Sequence, residues 1–175
     1  MKYFVLTVLR LYDSLEKLED SLDKTIMGSA TSLKGDTHEL CCQIMELNDK
    51  KRILANIKVI CDRIEREIGP IDYVALKKYA EGMSAEELAA QDGVSRSTEL
   101  RHLNKAVGRC VSLLETLGIT ERKIVNEYFS LPIVKTVYDY VAARKAPKRN
   151  GIDRKRKIRG GESSFSALRV GGGTV

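Results

Sequence analysis

Apolar residues recur every three or four positions through residues 1–69, with charged residues between them. The first such stripe consists of Val8, Leu11, Leu15, Leu18 and Leu22. This spacing places the apolar side chains on one face of a helix. A second stripe follows Asp36 and consists of Leu40, Ile44, Leu47, Leu54, Ile57, Cys61, Ile64 and Ile68. The pattern predicts two long amphipathic helices.

The segment between the two stripes lacks this periodicity. Residues 27–35 are rich in Gly, Ser and Thr, which predicts a loop. Asp36 and Glu39 have the spacing of a capping box, and Gly69-Pro70 is typical of a helix end. We therefore expect residues 1–69 to form an antiparallel helical hairpin of coiled-coil type. Its stripe either packs the two helices together or also pairs with another copy or another protein, because two helices alone leave apolar surface uncovered.

The next segment contains shorter helices. Ile71–Glu81 is the first of them. Ser84 and Glu87 have capping-box spacing, so a second helix is expected over Ala85–Asp92.

A sharp turn is expected directly after the second helix. Gly93 tolerates a left-handed conformation, and Val94 is placed to fill the corner between helices. Ser95 can cap a third helix that runs from Arg96 to about Leu117. Two helices joined by a glycine turn, the second capped, are typical of a helix-turn-helix, whose last helix enters the major groove of DNA.

Helical geometry divides the third helix into two faces. The apolar face is predicted to contain Leu100, Leu103, Ala106, Val107 and Cys110. The opposite face carries donors suited to base edges and phosphates. Together with the first turn, it gives the candidate DNA-binding residues Ser95, Arg96, Ser97, Thr98, Arg101, His102, Lys105 and Arg109. Any amphipathic helix shows such a division, so the assignment depends on the turn and caps that precede it.

The sequence GMSAEELAAQDGVSRSTELRHLNKAV, from Gly82 to Val107, resembles the helix-turn-helix of sigma factor region four. The layout of residues 1–118 also resembles small phage transcriptional regulators of the late-gene activator type, which have a helical first half, a Ser/Gly-rich loop and a sigma-like motif. The resemblance implies promoter-type DNA binding, regulation of transcription and contact with RNA polymerase by a phage or prophage protein. Asp92 and Glu99 depart from the pattern, because such motifs usually have apolar residues there.

The end of the chain differs in composition from the rest. Thr120 and Pro132 are placed to begin two C-terminal helices within residues 119–146. Residues 147–175 are rich in basic residues and Gly, without an apolar stripe, and we expect them to be a disordered basic tail. The residues proposed to contact the DNA backbone from this tail are Lys148, Arg149, Arg154, Lys155, Arg156, Lys157 and Arg159.

Composition and charge agree with an all-α protein that binds a polyanion. The 175 residues include no Trp and are 43% hydrophobic. The net charge of +6 is unevenly distributed: residues 1–69 and 70–118 each carry −1, and residues 119–175 carry +8. No apolar run approaches the roughly 20 residues of a membrane span.

The cysteines have no spacing that indicates disulfides. Cys41, Cys42, Cys61 and Cys110 are most simply interpreted as free thiols that pack as small buried hydrophobes in a cytoplasmic protein. His38 with Cys41 and Cys61 matches no zinc pattern.

The sequence contains no phosphate loop and no recognisable catalytic triad, so we expect no catalytic residues, cofactor or metal, and no enzyme activity. The first hypothesis is sequence-specific binding of double-stranded DNA and regulation of transcription. The alternatives are a small terminase-like subunit of phage DNA packaging, and a helical adaptor that contacts RNA polymerase without binding DNA. The N-terminal or C-terminal helices are candidates for homo-oligomer contacts, and no membrane partner is expected.

Overall fold

Every regular element in the described part of the chain, residues 1–31 and 36–145 of a computed structural model, is a helix. The α-helices are α1 Lys2–Leu11, α2 Leu15–Thr31, α3 Thr37–Ile68, α4 Pro70–Glu81, α5 Ala85–Asp92, α6 Arg96–Thr116, α7 Glu121–Asn126 and α8 Pro132–Lys145. Single 3₁₀ turns, Tyr12–Ser14 and Tyr128–Ser130, precede α2 and α8. The predicted all-α class is confirmed.

Most helix boundaries have the causes that the sequence indicates. Asp36 caps α3 by accepting a hydrogen bond from the amide of His38 at 3.1 Å. Gly69, with φ of 85°, ends that helix, and Pro70 occupies the first turn of α4. Thr120 caps α7 through the amide of Lys123 at 3.3 Å.

The loop predicted from Met27 is wrong over its first residues, since α2 continues to Thr31. The Thr31 hydroxyl donates to the carbonyl of Met27 at 2.9 Å, as Ser and Thr side chains do inside helices. A single exposed glycine, Gly28, costs a helix only about 1 kcal/mol relative to alanine. The composition of this segment therefore did not stop the helix.

Helix α1 lies at the centre of the core. Its buried residues are Phe4, Val5, Leu6, Thr7, Val8, Leu9 and Leu11. They surround the helix axis, and α1 accordingly packs against α3, α4, α6 and α8. A 3₁₀ turn then separates it from α2, so the stripe from Val8 to Leu22 spans two helices and not one.

Residues 1–145 form one compact unit. The segments predicted as 1–69, 70–118 and 119–146 contribute to the same buried core. In this core the rings of Phe4 and Tyr128 pack edge to face, with their centres 5.0 Å apart. The inner face of α6 consequently rests on α1, α3, α4 and α5.

The hairpin of α2 and α3 is less buried at its outer end. We call residues 18–31 and 37–52 the arm, and residues 1–17 and 53–145 the body. No described residue of the arm is buried, and its stripe residues Leu18 and Leu22 are only half-buried. Lys51, which interrupts the apolar stripe of α3, forms an ion pair across the arm with Asp23 at 2.6 Å.

Candidate nucleic-acid interface

The turn between α5 and α6 has the geometry that the sequence predicts. Ser84 and Glu87 form a complete capping box at the start of α5. Gly93 adopts a left-handed conformation with φ of 66°, and the amide of Val94 donates to the carbonyl of Ala89 at 3.0 Å. This closes α5 and leads the chain to the cap of α6 within two residues.

The corner itself is filled differently from expectation. Val94 is 38% exposed and does not plug it. Leu88 and Ala89 of α5, with Leu103 of α6, are the buried residues on the facing surfaces of these helices. The close approach of α5 to α6 is therefore made by helix residues and not by the turn.

The first turn of α6 is ordered by hydroxyl groups. The Ser95 Oγ accepts from the amide of Thr98 at 3.1 Å, which confirms the predicted cap. The same oxygen lies 2.9 Å from the hydroxyls of both Ser97 and Thr98. Three of the predicted DNA-binding residues thus share one hydrogen-bond cluster, in which Ser95 and Thr98 hold the helix start. Arg96 is exposed at the first helical position.

The buried face of α6 is rotated from the predicted one. It consists of Glu99, Leu103, Ala106, Val107, Cys110 and Leu114. Leu100, expected on this face, is 40% exposed, whereas Glu99 is 3% exposed. The reason is the position of α4 and α5, which cover the side of the helix where Glu99 lies.

The Glu99 carboxylate is an unusual group for this position. Asp72, Asp92 and His102 line the same cavity of about 80 Å³. Within residues 1–31 and 36–145, the Glu99 side chain takes part in no hydrogen bond or ion pair, yet no buried side-chain oxygen in these ranges lacks a partner, so the carboxylate is not sealed from solvent. Asp92, the other departure from the motif, is exposed.

The outward face of α6 is polar and accessible. Ser97, Arg101 and Lys105 are exposed there, and Arg101 points directly away from the buried residues by helical geometry. Asn104 is also exposed, beside Ser97 at the edge of this face, but the sequence reasoning missed it. The signal was available, since residue 104 is three positions after Arg101 and seven after Ser97, on the same helix face.

Two predicted residues lie on a flank of α6 instead. His102 lines the cavity between α6 and α4. Arg109 donates to the backbone carbonyl of Glu67 and pairs with the carboxylates of Glu67 at 3.7 Å and Asp72 at 4.0 Å. Its guanidinium therefore links α6 to α3 and α4, and carboxylates partly neutralise its charge. The structure brings Ser97, Arg101 and Lys105 together but sets these two apart.

The seven predicted tail residues from Lys148 to Arg159 lie outside the described residues. Among the cysteines, Cys61 and Cys110 are buried as expected, and burial raises the pKa of each thiol to about 12. Cys41 and Cys42 are exposed, so the expectation of burial was wrong for these two, which belong to the arm. No group of three potential metal ligands is present in residues 1–31 and 36–145.

Comparison of the chain with protein-family models, curated proteins and solved structures finds no match in any of the three. Within the described ranges, none of the helices combines the length and the apolar character needed to cross a membrane.

Proposed function

We propose that this protein binds double-stranded DNA sequence-specifically through α6 and thereby regulates transcription. The observation that carries the proposal is the exposed face of α6 formed by Ser97, Arg101, Asn104 and Lys105. This face begins directly after the left-handed Gly93 and the helix cap at Ser95. We call these four residues the reading face. A helix held in this way presents its first turns to a major groove while its other side rests on the body.

The chemistry of the reading face suits base recognition. Arginine forms paired hydrogen bonds with guanine O6 and N7, and asparagine does so with adenine N6 and N7. The hydroxyl of Ser97 and the ammonium of Lys105 can bond to phosphates or bases. Arg101 and Asn104, three positions apart on one helix face, are therefore the proposed base-reading pair.

Affinity must come largely from other residues. Residues 70–118 carry a net charge of −1, and DNA affinity depends mainly on neutralised phosphates. The basic residues between Lys148 and Arg159 are proposed to contact the DNA backbone. The regulatory role, contact with RNA polymerase and a phage or prophage origin are supported by the sigma-like motif.

Selection of bound fragments from random double-stranded DNA tests the proposal. We expect an enriched motif for the full chain. Arg101→Ala should cost about 1–3 kcal/mol in binding and relax one base position. Arg63→Ala is the matched control, because Arg63 lies on α3 and its replacement removes the same charge away from the reading face. Absence of an enriched motif, or equal effects of the two variants with unchanged circular dichroism, would overturn the proposal.

A second candidate function has one specific observation in its favour. A cavity of about 400 Å³ between α4 and α5 is lined by apolar residues that include Ile71, Val74 and Leu88, and Ile71 is 84% exposed. Such a surface suits a protein partner, as in an adaptor that contacts RNA polymerase without DNA. Failure to bind any DNA at low salt, together with loss of polymerase binding in Ile71→Asp, would favour this function.

Self-association is proposed as a further property of the helices. The half-buried stripe of the arm leaves apolar surface that a second copy could cover. Sedimentation analysis measures this directly. A ring-shaped oligomer would favour the DNA-packaging alternative over the transcriptional one.

A further inference from the structure

Three cationic side chains, Arg10 of α1 and Arg144 and Lys145 of α8, contact the last residues of α4. Lys2, in the first turn of α1, lies close enough for its charge to act on Lys145. We call these four residues the basic cluster. The sequence pattern singles out none of them, because only the packing of α8 on α1 brings these residues together.

The two arginines are fixed by the last carbonyls of α4. Arg10 donates to the carbonyl of Ala80 at 3.0 Å and to that of Glu81, and Arg144 donates to the carbonyl of Gly82 at 2.7 Å. The C-terminal end of a helix carries partial negative charge and favours such cations. Tyr140 lies between them: its hydroxyl accepts from Arg144 at 2.8 Å, and its ring lies 4.7 Å from the Arg10 guanidinium carbon.

Lys145 lies in this field of like charge, and none of the carboxylates in residues 1–31 and 36–145 pairs with it. Its Nζ lies 3.3 Å from the centre of the Tyr79 ring. Burial, followed by the charges of Arg144, Arg10 and Lys2, lowers the pKa of Lys145 to about 8. None of the ion pairs between described residues includes a member of the basic cluster.

The acidic residues near the cluster form no ion pair with it among the described residues. The Glu87 carboxylate accepts a hydrogen bond from the amide of Ser84 at 2.7 Å. This hydrogen bond is the main cause of the lowered pKa of Glu87, and the charge of Arg144 contributes least to it. Glu81 and Glu86 form no ion pair with the described residues. An anion from another molecule would thus find cations that are paired directly with no carboxylate of the described residues.

The position of the cluster relates it to the reading face. Arg144 contacts Gly82, in the turn before α5, and α5 alone connects this turn to the one before α6. Eight helical residues rise about 12 Å, which is about the width of the major groove of B-DNA. In helix-turn-helix proteins the first helix of the pair crosses the DNA backbone at the edge of the groove.

We propose that the basic cluster binds the phosphodiester backbone beside the groove that α6 enters. This inference rests on the proposed function and adds a contact made by the folded body itself. The chain continues from Lys145 toward Lys148 and Arg149, so the basic residues of the tail follow the cluster directly in sequence.

The salt dependence of DNA binding tests the inference in the full chain. Lys2→Gln/Lys145→Gln removes two charges without disturbing the arginines that bind the end of α4. The slope of log affinity against log salt should flatten by about 0.9 for each phosphate that is no longer neutralised, with the preferred DNA motif unchanged. Lys17→Gln/Lys24→Gln, two lysines of α2 outside every ion pair of the described residues, is the matched control and should keep the wild-type slope. Melting temperatures of both variants check the fold.

Titration of Lys145 gives a second, independent readout. A bound phosphate favours the ammonium form, so ¹⁵N NMR of Nζ should show a higher pKa for Lys145 with DNA than without it. Wild-type affinity should fall several-fold from pH 7 to pH 9. This loss of affinity with pH should be smaller in both Lys145→Gln and Lys145→Arg. At pH 7, only Lys145→Arg should keep the wild-type affinity. Inorganic phosphate alone serves as the probe for a free-anion site.

The outcomes separate the two proposals. No specific binding by the wild-type chain would overturn the proposed function. Specific binding with the same salt slope in the wild type and Lys2→Gln/Lys145→Gln would overturn only the basic cluster as a DNA contact. A shift of the Lys145 pKa with inorganic phosphate but not with DNA would also overturn it.

Discussion

The two halves of α3 carry the same apolar repeat but lie in very different surroundings. The half that belongs to the body contributes the buried residues Ile53, Leu54, Ile57, Ile60, Cys61, Ile64 and Ile68. The half in the arm contributes none, although Leu40, Ile44 and Leu47 continue the stripe. One helix thus passes from a packed core to a region where none of its residues is buried.

The difference shows what an apolar stripe determines. It selects the face that would be buried, but burial requires enough neighbouring helices to cover that face. In the body, α1, α4 and α6 pack against α3, whereas in the arm α3 faces α2, and its last arm residues Asp49 and Arg52 also border α7 across a cavity. The body therefore provides the rigid support on which α6 presents its reading face.

The cysteines of α3 provide the largest expected difference between the halves. Cys41 and Cys42 are exposed, whereas Cys61 is buried. The Cys61 thiol donates a hydrogen bond to the carbonyl of Val8 at 3.4 Å, and burial raises the pKa of this thiol to about 12. Because only the thiolate reacts, alkylation of Cys61 at pH 8 should be slower by about a thousandfold or more.

Peptide mass spectrometry of alkylated protein measures both rates in one sample. In denaturant the three thiols should react alike, which is the control. Equal rates for Cys61 and Cys41 in the folded protein would show that the two halves of α3 are equally open.

Matched truncations measure the same contrast in packing energy. Ile57→Ala should destabilise the protein by about 2–5 kcal/mol, because it leaves a cavity in the core. Ile44→Ala, the same change on the same helix, should cost roughly 1 kcal/mol or less, since Ile44 is only half-buried. Urea unfolding followed by circular dichroism gives both values. Similar costs would mean that another molecule or another copy covers the arm.

Local signals in the sequence predicted the turns and caps that hold the candidate site. Ser84, Gly93 and Ser95 all have the predicted roles, because capping and left-handed turns depend on residues close in sequence. The all-α class followed from periodicity for the same reason.

The orientation of α6 and the basic cluster depend on contacts between distant segments. Leu100 was expected on the buried face because it is apolar, whereas Glu99 was noted as a charged residue at a position that is usually apolar in sigma-like motifs. The packing of α4 and α5 buries Glu99 and leaves Leu100 exposed, and that packing leaves no periodic signal. Likewise, nothing local relates Arg10 to Arg144, which are neighbours only because α8 packs on α1.

A glycine in the arm tests the correction to the predicted loop. Gly28 lies inside α2, and a Cβ there would meet nothing within 4 Å. Gly28→Ala should therefore stabilise the outer end of α2 by about 0.5–1 kcal/mol. Amide hydrogen exchange of residues 24–31 measures this local gain.

Gly118→Ala is the contrasting control in the body. Gly118 has φ of 70°, so the added Cβ is strained and the variant should be less stable than wild type. Faster exchange in Gly28→Ala would show that this segment is the loop that its composition suggested.

The smallest expected effect is at the boundary between the halves, in the ion pair of Lys51 with Asp23. Both side chains are substantially exposed, so their attraction is weakened by water and salt. A double-mutant cycle with Lys51→Met and Asp23→Asn should give a coupling of about 0.2–1 kcal/mol that shrinks in high salt. Lys51→Met alone should lose little, because a methionine at this position continues the apolar stripe. A coupling well above this range and insensitive to salt would mean that the pair is shielded from water, and hence that the arm is covered in solution.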